Sequence, residues 1–569
     1  MNILGLNIGH DSGCCLLLRD GRMLAVNEER LSRNKLHVGF PALAIRELLS
    51  IAPLRPCDID FVVVDGKDFP PAKNLGVDSH DSDWKKVVVE RLHLAKFFLG
   101  NEKGLMLARA AVKASANHFR RQVREHFAAD GVTAPIEFVD HHTCHAASAY
   151  YTQAEFDRGL AITLDASGEG YCSKIFICDN NRMELVHQVP CYYSPAYYYG
   201  YITKLLGFTP LRHEGKVTGL AAFGNGSSVR ECLRSLFGFD RRRGRFYNHG
   251  GYHASAMRRL REALASFSRE DIAAGLQDHV EQVTSDYISW AIATFGKGQP
   301  ANLFMAGGLL ANVRINQRVL ESPDVASLYV FPNMGDGGIG AGAALFARFQ
   351  HDRKAARISL KNVFMGRDFT DDDIAEAIAF ERITATRSPD ITADVATLLA
   401  ECKVVARFHG RCEYGPRALG NRSILFNPAD RSSNDWLNKR LKRTEFMPFA
   451  PVVRDVDADE YFDLPNKSLR PFTFMTATCR VKNICREQAP AVVHVDGTAR
   501  PQIIARLENA IYYDILTKFK AITGCGVLVN TSFNMHEEPI VYSPTEALKT
   551  FRAGGLDALA IGNFLCISS

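Results

Sequence analysis

The feature that most constrains this 569-residue chain is a pattern written twice. Near the start, ILGLNIG runs into the turn Gly9-His10-Asp11-Ser12-Gly13, followed by an apolar strand, an Asp20-Gly21 turn and a third strand. From Leu160 the same order returns: an apolar strand reaching Asp165, the loop Ser167-Gly168-Glu169-Gly170, a β-rich strand, the turn at Asn180-Asn181 and another strand. Strand, small-residue turn with a carboxylate, strand and hairpin, repeated in that order, predict a duplicated unit in an α/β (mixed α+β) protein. Turn amides of this kind can cradle phosphate oxygens, and the Asp can hold a cation through water. A nucleotide in the cleft between the two halves is the expectation.

A second pattern lies between the copies. In Val139 to Tyr151, VDHHTCHAASAYY, His141 and His145 are four residues apart, so on a helix both imidazoles leave one face and can converge on a metal ion. His142 points about 100° away around a helix, where it serves as an outer partner or faces an acceptor. Asp140 stands at the N-cap, and Ala146, Ala147, Ser148 and Ala149 make the helix narrow enough to lie close to a neighbour. Far downstream, Asp336 sits in Gly335-Asp336-Gly337-Gly338 at the head of a small-residue helix. It could complete a two-histidine, one-carboxylate site with open positions for substrate oxygens.

Other stretches surround this core. His213 to Ala221 delivers Glu214 and Lys216 ahead of small residues, either as ligand contacts or as a plain helix start with a solvent-facing lysine. Residues 271–297 read as an amphipathic helix, followed by a strand and the run Gly307-Gly308 to Asn312, suited to close backbone contact with a base or ribose. Residues 1–350 read as one domain, 351–394 as a charged boundary segment, and 395–569 as a second domain. The second domain carries Arg417, Arg443, Arg500, Asn530 and Ser532 in arginine-, Gly- and Pro-rich settings matched to phosphate.

Composition narrows the class. The chain is 46% hydrophobic and 23% charged, ordinary for a soluble protein of several domains. No apolar run reaches the ~18 residues that span a bilayer, and the N-terminus reads as a β-strand rather than a leader. Fourteen scattered cysteines without a C-x-x-C indicate neither a zinc ribbon nor a disulfide framework and fit reduced thiols in a cytoplasm. A net charge of +5 permits a phosphate ligand or a polyanion without demanding either. Basic clusters at Lys85-Lys86, Arg120-Arg121 and Arg241 to Arg245 read first as solvated loops.

With these pieces in order, GLNIGHDSG, DHHTCHAASA, LDASGEG, EGKVTGLAAFG, GDGGIGAG, GPRALGNRS, PFAP, HVDGTARPQ and VNTSFNMHEEPIV closely resemble the NodU/TobZ-type O-carbamoyltransferases along essentially the whole chain. The resemblance implies a TsaD-like N-terminal domain of the actin/heat-shock-ATPase fold and a C-terminal YrdC-like α/β domain. It implies carbamoyladenylate made in the second domain from carbamoyl phosphate and ATP, with Mg2+, then transfer to an acceptor hydroxyl in the first. His141, His145 and Asp336 are implied to bind an iron(II)-like cation, and His10 and Asp11 to manage the acceptor hydroxyl; His142 is expected with these two among the catalytic residues. Glu214, Lys216, Gly307, Gly308 and Asn312 are implied to line the nucleotide cleft; Arg417, Arg443, Arg500, Asn530 and Ser532 are implied to hold ATP and carbamoyl phosphate. Met447 stands where many relatives carry an arginine, which leaves the assignment between Lys439 and Lys442 open. The expected acceptor is a small natural product or saccharide. A hydroxymethylated nucleotide or nucleic acid is the alternative, motivated by Arg241 to Arg245 beside Phe246, Tyr247 and Tyr252. A homodimer is compatible with the sequence. An ATP-regulated actin-like scaffold would leave the histidine pair and the arginine-rich domain without a task.

Overall fold

A computed structural model describes residues 1–67, 119–129, 131–441 and 448–568. Arg443, Lys442, Met447 and the Lys85-Lys86 cluster lie outside the described residues. The chain divides into two compact units, one of Met1–Met23, Val38–Ile45 and Ala52–Ser359, the other of Leu24–His37, Arg46–Ile51 and Leu360–Ser569.

The repeated sequence pattern becomes a repeated sheet. β1 (Ile3–Asn7) pairs antiparallel with β2 (Gly13–Leu17) and parallel with β4 (Phe61–Asp65), which pairs parallel with β5 (Ile136–Val139). With β3 (Met23–Asn27), where the chain passes to the second unit, the strand order is β3-β2-β1-β4-β5. In the second copy β6 (Gly159–Gly168) pairs antiparallel with β7 (Tyr171–Asp179), which pairs with β8 (Arg182–Pro190). After the small hairpin of β9 (Phe237–Asp240) and β10 (Arg245–Asn248), β11 (Ala301–Ala306) and β12 (Val325–Val330) add parallel to β6. The order β12-β11-β6-β7-β8 is the first sheet's order in mirror listing.

Strands buried on both faces need apolar runs and close helix cover. β1 and β2 are buried along their whole length. The helix Ile339–His351 lies so near β1 that a Cβ on Gly5 would stand 2.0 Å from the Gly340 carbonyl oxygen. A Cβ on Gly342 would stand 1.8 Å from the carbonyl oxygen of Cys144, in the helix His141–Tyr150. The expected narrow helix therefore does pack at backbone distance. Parallel strands deliver their carboxyl ends to one edge, and in such sheets ligands bind there. At those ends stand Asn7, Asp65, Asp140 and, on β6, Asp165.

The second unit is built on an eight-stranded mixed sheet. Its strands are β13 (Thr386–Arg387), β14 (Val405–Phe408), β15 (Arg422–Phe426), β16 (Ala450–Arg454), β20 (Gln502–Ile504), β21 (Val527–Ser532), β22 (Ala558–Ile561) and β23 (Phe564–Ile567), in the order β13-β23-β22-β14-β15-β21-β16-β20. A smaller sheet joins β17 (Phe462–Asp463), β18 (Cys479–Val481) and β19 (Thr498–Ala499). Within the span read as a boundary segment, the structure has a capped helix, Asp371–Glu381, and strand β13, both in this unit. The capping box of Thr370 with Asp373 accounts for the charged run FTDDD there. Among the described residues no helix is long and apolar enough to cross a membrane.

Candidate active site

Asp140 caps the histidine helix by accepting a hydrogen bond from Thr143 N at 2.9 Å. The four-residue spacing places the rings of His141 and His145 4.7 Å apart. Asp336, from the turn ahead of helix Ile339–His351, and Asp165, from β6, close on them. One ligand atom from each of His141, His145, Asp165 and Asp336 lies within 4.8 Å of all the others. His141 Nε2 is 3.6 Å from Asp165 Oδ2 and 3.6 Å from Asp336 Oδ1; His145 Nε2 is 3.3 and 3.5 Å from the same atoms.

These separations leave His141 Nε2, His145 Nε2 and Asp165 Oδ2 buried without a hydrogen-bond partner. Buried polar atoms rarely stay unsatisfied, and here several converge on one point. Two imidazole nitrogens and two carboxylate oxygens form a donor set that fits a first-row divalent cation. Burial disfavours imidazolium, yet Asp336 and Asp165 outweigh it, holding His141 well above and His145 above the ordinary imidazole range. Burial likewise disfavours the carboxylates, but the histidines keep Asp165 well below and Asp336 below the usual carboxylate value.

Asp165 was legible in sequence only as a phosphate-loop residue; its place in the donor set follows from the sheet. Asp65 was missed. Its Oδ2 lies 3.7 Å from His141 Nδ1, and its Oδ1 is buried without a partner. The signal was present as a strand ending in Asp-Gly, FVVVDG, next in the sheet to the strand that leads into the histidines. Gly168 is obligatory here, because a Cβ on it would stand 2.0 Å from His141 Cδ2.

The first turn also reaches this centre. Asn7 Nδ2 donates to the carbonyl oxygens of His10 (2.9 Å), Asp11 (3.2 Å) and Asp336 (2.9 Å), tying the turn to the Asp336 loop. His10 Nε2 lies 3.7 Å from Asp336 Oδ2 with its side chain 41% exposed. Asp11 adopts the left-handed region at φ 56°, as a tight turn requires. His142 lies inside the fold. It is fully buried, with Nδ1 2.8 Å from Thr163 Oγ1 and Nε2 3.0 Å from the Tyr171 carbonyl oxygen. Burial, then the charge on His141, lowers its pKa to about 3, so the ring is neutral and both nitrogens are occupied.

The remaining N-terminal candidates have specific local duties. Glu214 opens the helix Glu214–Leu220 and accepts from Leu211 N at 2.7 Å, while burial raises its pKa. Lys216 is buried on that helix rather than turned to solvent. Gly307, at φ 119°, would place a Cβ 2.2 Å from the Leu164 carbonyl oxygen, and a Cβ on Gly308 would stand 3.2 Å from Asp165 Oδ1. The glycine pair thus lets β11's end approach the strand that carries Asp165. Asn312 caps the helix Val313–Glu321 by accepting from Arg314 N and Ile315 N, and its Nδ2 donates to Gln277 Oε1 at 2.9 Å.

In the second unit the GPRALGNRS run is a loop held from inside. Glu413 Oε1 accepts from the backbone N–H groups of Leu419, Asn421 and Arg422. Asn530 Nδ2 donates to the Ala418 carbonyl oxygen at 3.1 Å and to Gln502 Oε1 at 2.8 Å; Gln502 Nε2 donates to the Leu419 carbonyl oxygen at 2.9 Å. Asn530 and Ser532 alternate on one face of β21, and Ser532 Oγ donates to Asn534 Oδ1 at 2.6 Å. Asn530 thereby joins the loop of Arg417 to the strand that follows Arg500. Arg407, missed in sequence, and Arg422, the second arginine of the GPRALGNRS run, are buried beside this loop. Arg407 Nη2 and Arg422 Nε and Nη2 lack hydrogen-bond partners. Glu413 acts electrostatically on both guanidiniums, and Asp368 acts on Arg422 as well. Burial lowers the Arg407 pKa to about 10 and lowers that of Arg422.

One unit thus holds a candidate cation centre and the other holds buried arginines beside the GPRALGNRS loop. The family description Carbamoyltransferase N-terminus matches residues 2–345, and Carbamoyltransferase C-terminus matches residues 396–567. The chain belongs to the carbamoyltransferase family, and its general activity is carbamoyl transfer. It is 30% identical over 572 residues to nodulation protein NolNO of Sinorhizobium fredii, spanning 98% of this chain and 78% of that one. It is 26% identical over 569 residues to nodulation protein U of Rhizobium tropici, spanning 94% and 91%. Among solved structures, full-length HypF in its phosphate- and nucleotide-bound form is 15% identical, with a TM-score of 0.33 over 62% of this chain and 47% of that chain. A likeness at that score carries no argument about the site.

Proposed function

We propose that the chain is an O-carbamoyltransferase that forms carbamoyladenylate from carbamoyl phosphate and ATP in its second unit and transfers the carbamoyl group to an acceptor hydroxyl in its first. The observation that carries this reading is the converging donor set of His141, His145, Asp165 and Asp336, in which His141 Nε2, His145 Nε2 and Asp165 Oδ2 are buried without a hydrogen-bond partner.

In the first step water hydrolyses carbamoyl phosphate to carbamate and phosphate, and a carbamate oxygen then attacks the α-phosphorus of ATP with loss of pyrophosphate. Carbamate is a poor electrophile, and adenylation supplies AMP as the leaving group. The loop of Arg417, with Arg443, Arg500, Asn530 and Ser532, holds the two phosphate substrates; Mg2+ accompanies ATP. The buried guanidiniums of Arg407 and Arg422 add positive potential behind that loop.

In the second step the acceptor hydroxyl attacks the carbamoyl carbon and AMP departs. His141, His145, Asp165 and Asp336 would hold a divalent cation such as iron(II), which would supply Lewis acidity for this step. His10, beside Asp336 and open to solvent on its other side, takes the hydroxyl proton, and the turn bearing Asp11 orients the acceptor. Asp65 behind His141 keeps that imidazole turned toward the centre. Glu214, Lys216, Gly307 and Gly308 line the nucleotide side, with Asn312 as their scaffold.

The acceptor is a hydroxyl on a small natural product or saccharide. The nucleic-acid alternative rested on Arg241 to Arg245, which form the tip of the β9–β10 hairpin. There Arg243 lies 3.6 Å from Asp240, and Arg245 lies over the Tyr193 ring at 4.6 Å. Phe246 and Tyr252, the rings expected to stack on bases, are buried, which favours the small acceptor.

The test separates the half-reactions. His145→Ala is expected to abolish carbamoyl transfer to an acceptor panel, read by the carbamoyl mass increment. The same variant is expected to retain carbamoyl phosphate-dependent pyrophosphate release. Loss of both activities in a folded variant, or release of ADP alone by the native enzyme, refutes the two-site reading.

A further inference from the structure

Glu413 is a buried acid that the proposed chemistry does not use as a reactant. It sits just before the loop that carries Arg417. Its own backbone is stapled to the preceding segment: Phe364 and Glu413 form an antiparallel bridge, Tyr414 N donates to the Val363 carbonyl oxygen at 2.8 Å, and Gly366 N donates to that of Cys412 at 3.1 Å. From this fixed base one carboxylate oxygen, Oε1, accepts three backbone N–H groups: Leu419 at 3.0 Å, Asn421 at 2.9 Å and Arg422 at 3.1 Å.

Three amides curled on one oxygen require an unusual backbone. Gly415 stands at φ 135° and Gly420 at φ 116°, where a side chain is strained, and a Cβ on Gly420 would meet the Tyr512 ring at 2.4 Å. Carbonyl oxygens of the same loop are held in turn: that of Ala418 by Asn530, that of Leu419 by Gln502 and that of Gly420 by Arg407. Asn421 Oδ1 accepts from Arg407 at 3.1 Å and from Asn509 at 3.0 Å. Arg407 Nη2, Asn530 Oδ1 and Glu413 Oε2 make no such bond, and the bonds that are made all lie within this unit and hold the loop in shape. Preorganisation of that kind lowers the ordering cost of binding.

We infer that Glu413 is a positioning residue for the second unit's site: its carboxylate templates residues 415–422 and so sets the placement of Arg417 toward the phosphate substrates, without touching them. The inference rests on the proposed adenylate-forming reaction. Glu413→Ala leaves three buried N–H groups without their acceptor, and the loop relaxes. Glu413→Gln keeps an acceptor oxygen in the same place.

The experiment compares native protein, Glu413→Ala, Glu413→Gln and Glu413→Asp by carbamoyl phosphate-dependent pyrophosphate release, with KM and kcat taken separately, and by calorimetric ATP binding. For Glu413→Ala, KM for carbamoyl phosphate and the ATP dissociation constant should rise about tenfold or more, each lost hydrogen bond contributing several-fold. Glu413→Gln should stay within about threefold of native, and Glu413→Asp should fall between. A Gln variant as impaired as the Ala variant overturns the inference, since charge and not loop shape would then matter. Native KM, kcat and ATP affinity in the Ala variant also overturn it. Should the Ala variant fail to fold, the Gln and Asp variants decide by the same ordering. If native protein releases no pyrophosphate, the proposed reaction fails by itself, and the ATP affinities of the variants still decide the role of Glu413.

Discussion

Replacing Asp165 by Asn tests whether the metal centre has four protein ligands or three. The side chain keeps its shape and one oxygen, and loses the charge that lies 3.3 Å from His145 Nε2 and 3.6 Å from His141 Nε2. Removing a partner behind a ligand typically costs about 10–100-fold in metal affinity. Removing a ligand should exceed that, so the expectation is a loss of at least ~100-fold, about 2.7 kcal/mol at 1.36 kcal/mol per decade. Asp65→Asn, which removes the group behind His141, should lose about 10–100-fold. One opposing effect must be controlled. Loss of Asp165 weakens the pull that raises the His141 and His145 pKa values, so their protons compete less with the cation. Titration of metal-free protein with cobalt(II), followed by its visible absorption, at neutral pH and again well above it separates the two contributions. An Asp165→Asn dissociation constant within threefold of native at the higher pH, or a larger loss in Asp65→Asn than in Asp165→Asn, would refute the four-ligand centre.

Other perturbations follow from the same contacts. Lys174→Met leaves the Asp140 carboxylate buried without its 2.6 Å partner and should cost about 3–5 kcal/mol in urea denaturation; a loss below ~1 kcal/mol counts against the pair as a structural element. Gly342→Ala drives a methyl into the Cys144 carbonyl oxygen and should cost about 1–3 kcal/mol while weakening cation binding; unchanged affinity would show that the helix crossing does not set the centre. His409 is held at about 3 by burial and then by Arg407 and Arg422, against ~6.5 when unfolded. Its folded pKa lies below its unfolded one, so its contribution is complete above pH ~6.5 and is lost as pH falls toward 3, by at most ~1.4 kcal/mol per unit. His409→Gln should therefore flatten the fall of Tm between pH ~6.5 and ~4, and an unchanged slope would refute the assignment.

Much of the site was legible because it is written in local periodicities. A four-residue spacing puts His141 and His145 on one helix face whatever surrounds it, and Asp140 caps that helix by a hydrogen bond three residues away. The doubled strand-turn-strand pattern carries its fold for the same reason, since each hairpin is closed by neighbours in sequence. What sequence could not place are contacts made by the sheet. Asp65, Asp165 and Asp336 come from three strands or turns far apart in the chain: parallel pairing of β4 with β5 brings Asp65 to the start of the histidine helix, while Asp165 and Asp336 come from the second sheet and the turn that follows it, and only tertiary packing brings them to His141. His142 shows the converse: its helix position was readable, but only the packing of β6 and β7 against that helix decided that Thr163 and Tyr171 occupy both of its nitrogens. Glu413 likewise looks in sequence like one more charge before an arginine motif. Its three amide donors exist only once the loop has turned back on it, because a hydrogen-bond acceptor is chosen by distance in space and not by position in the chain.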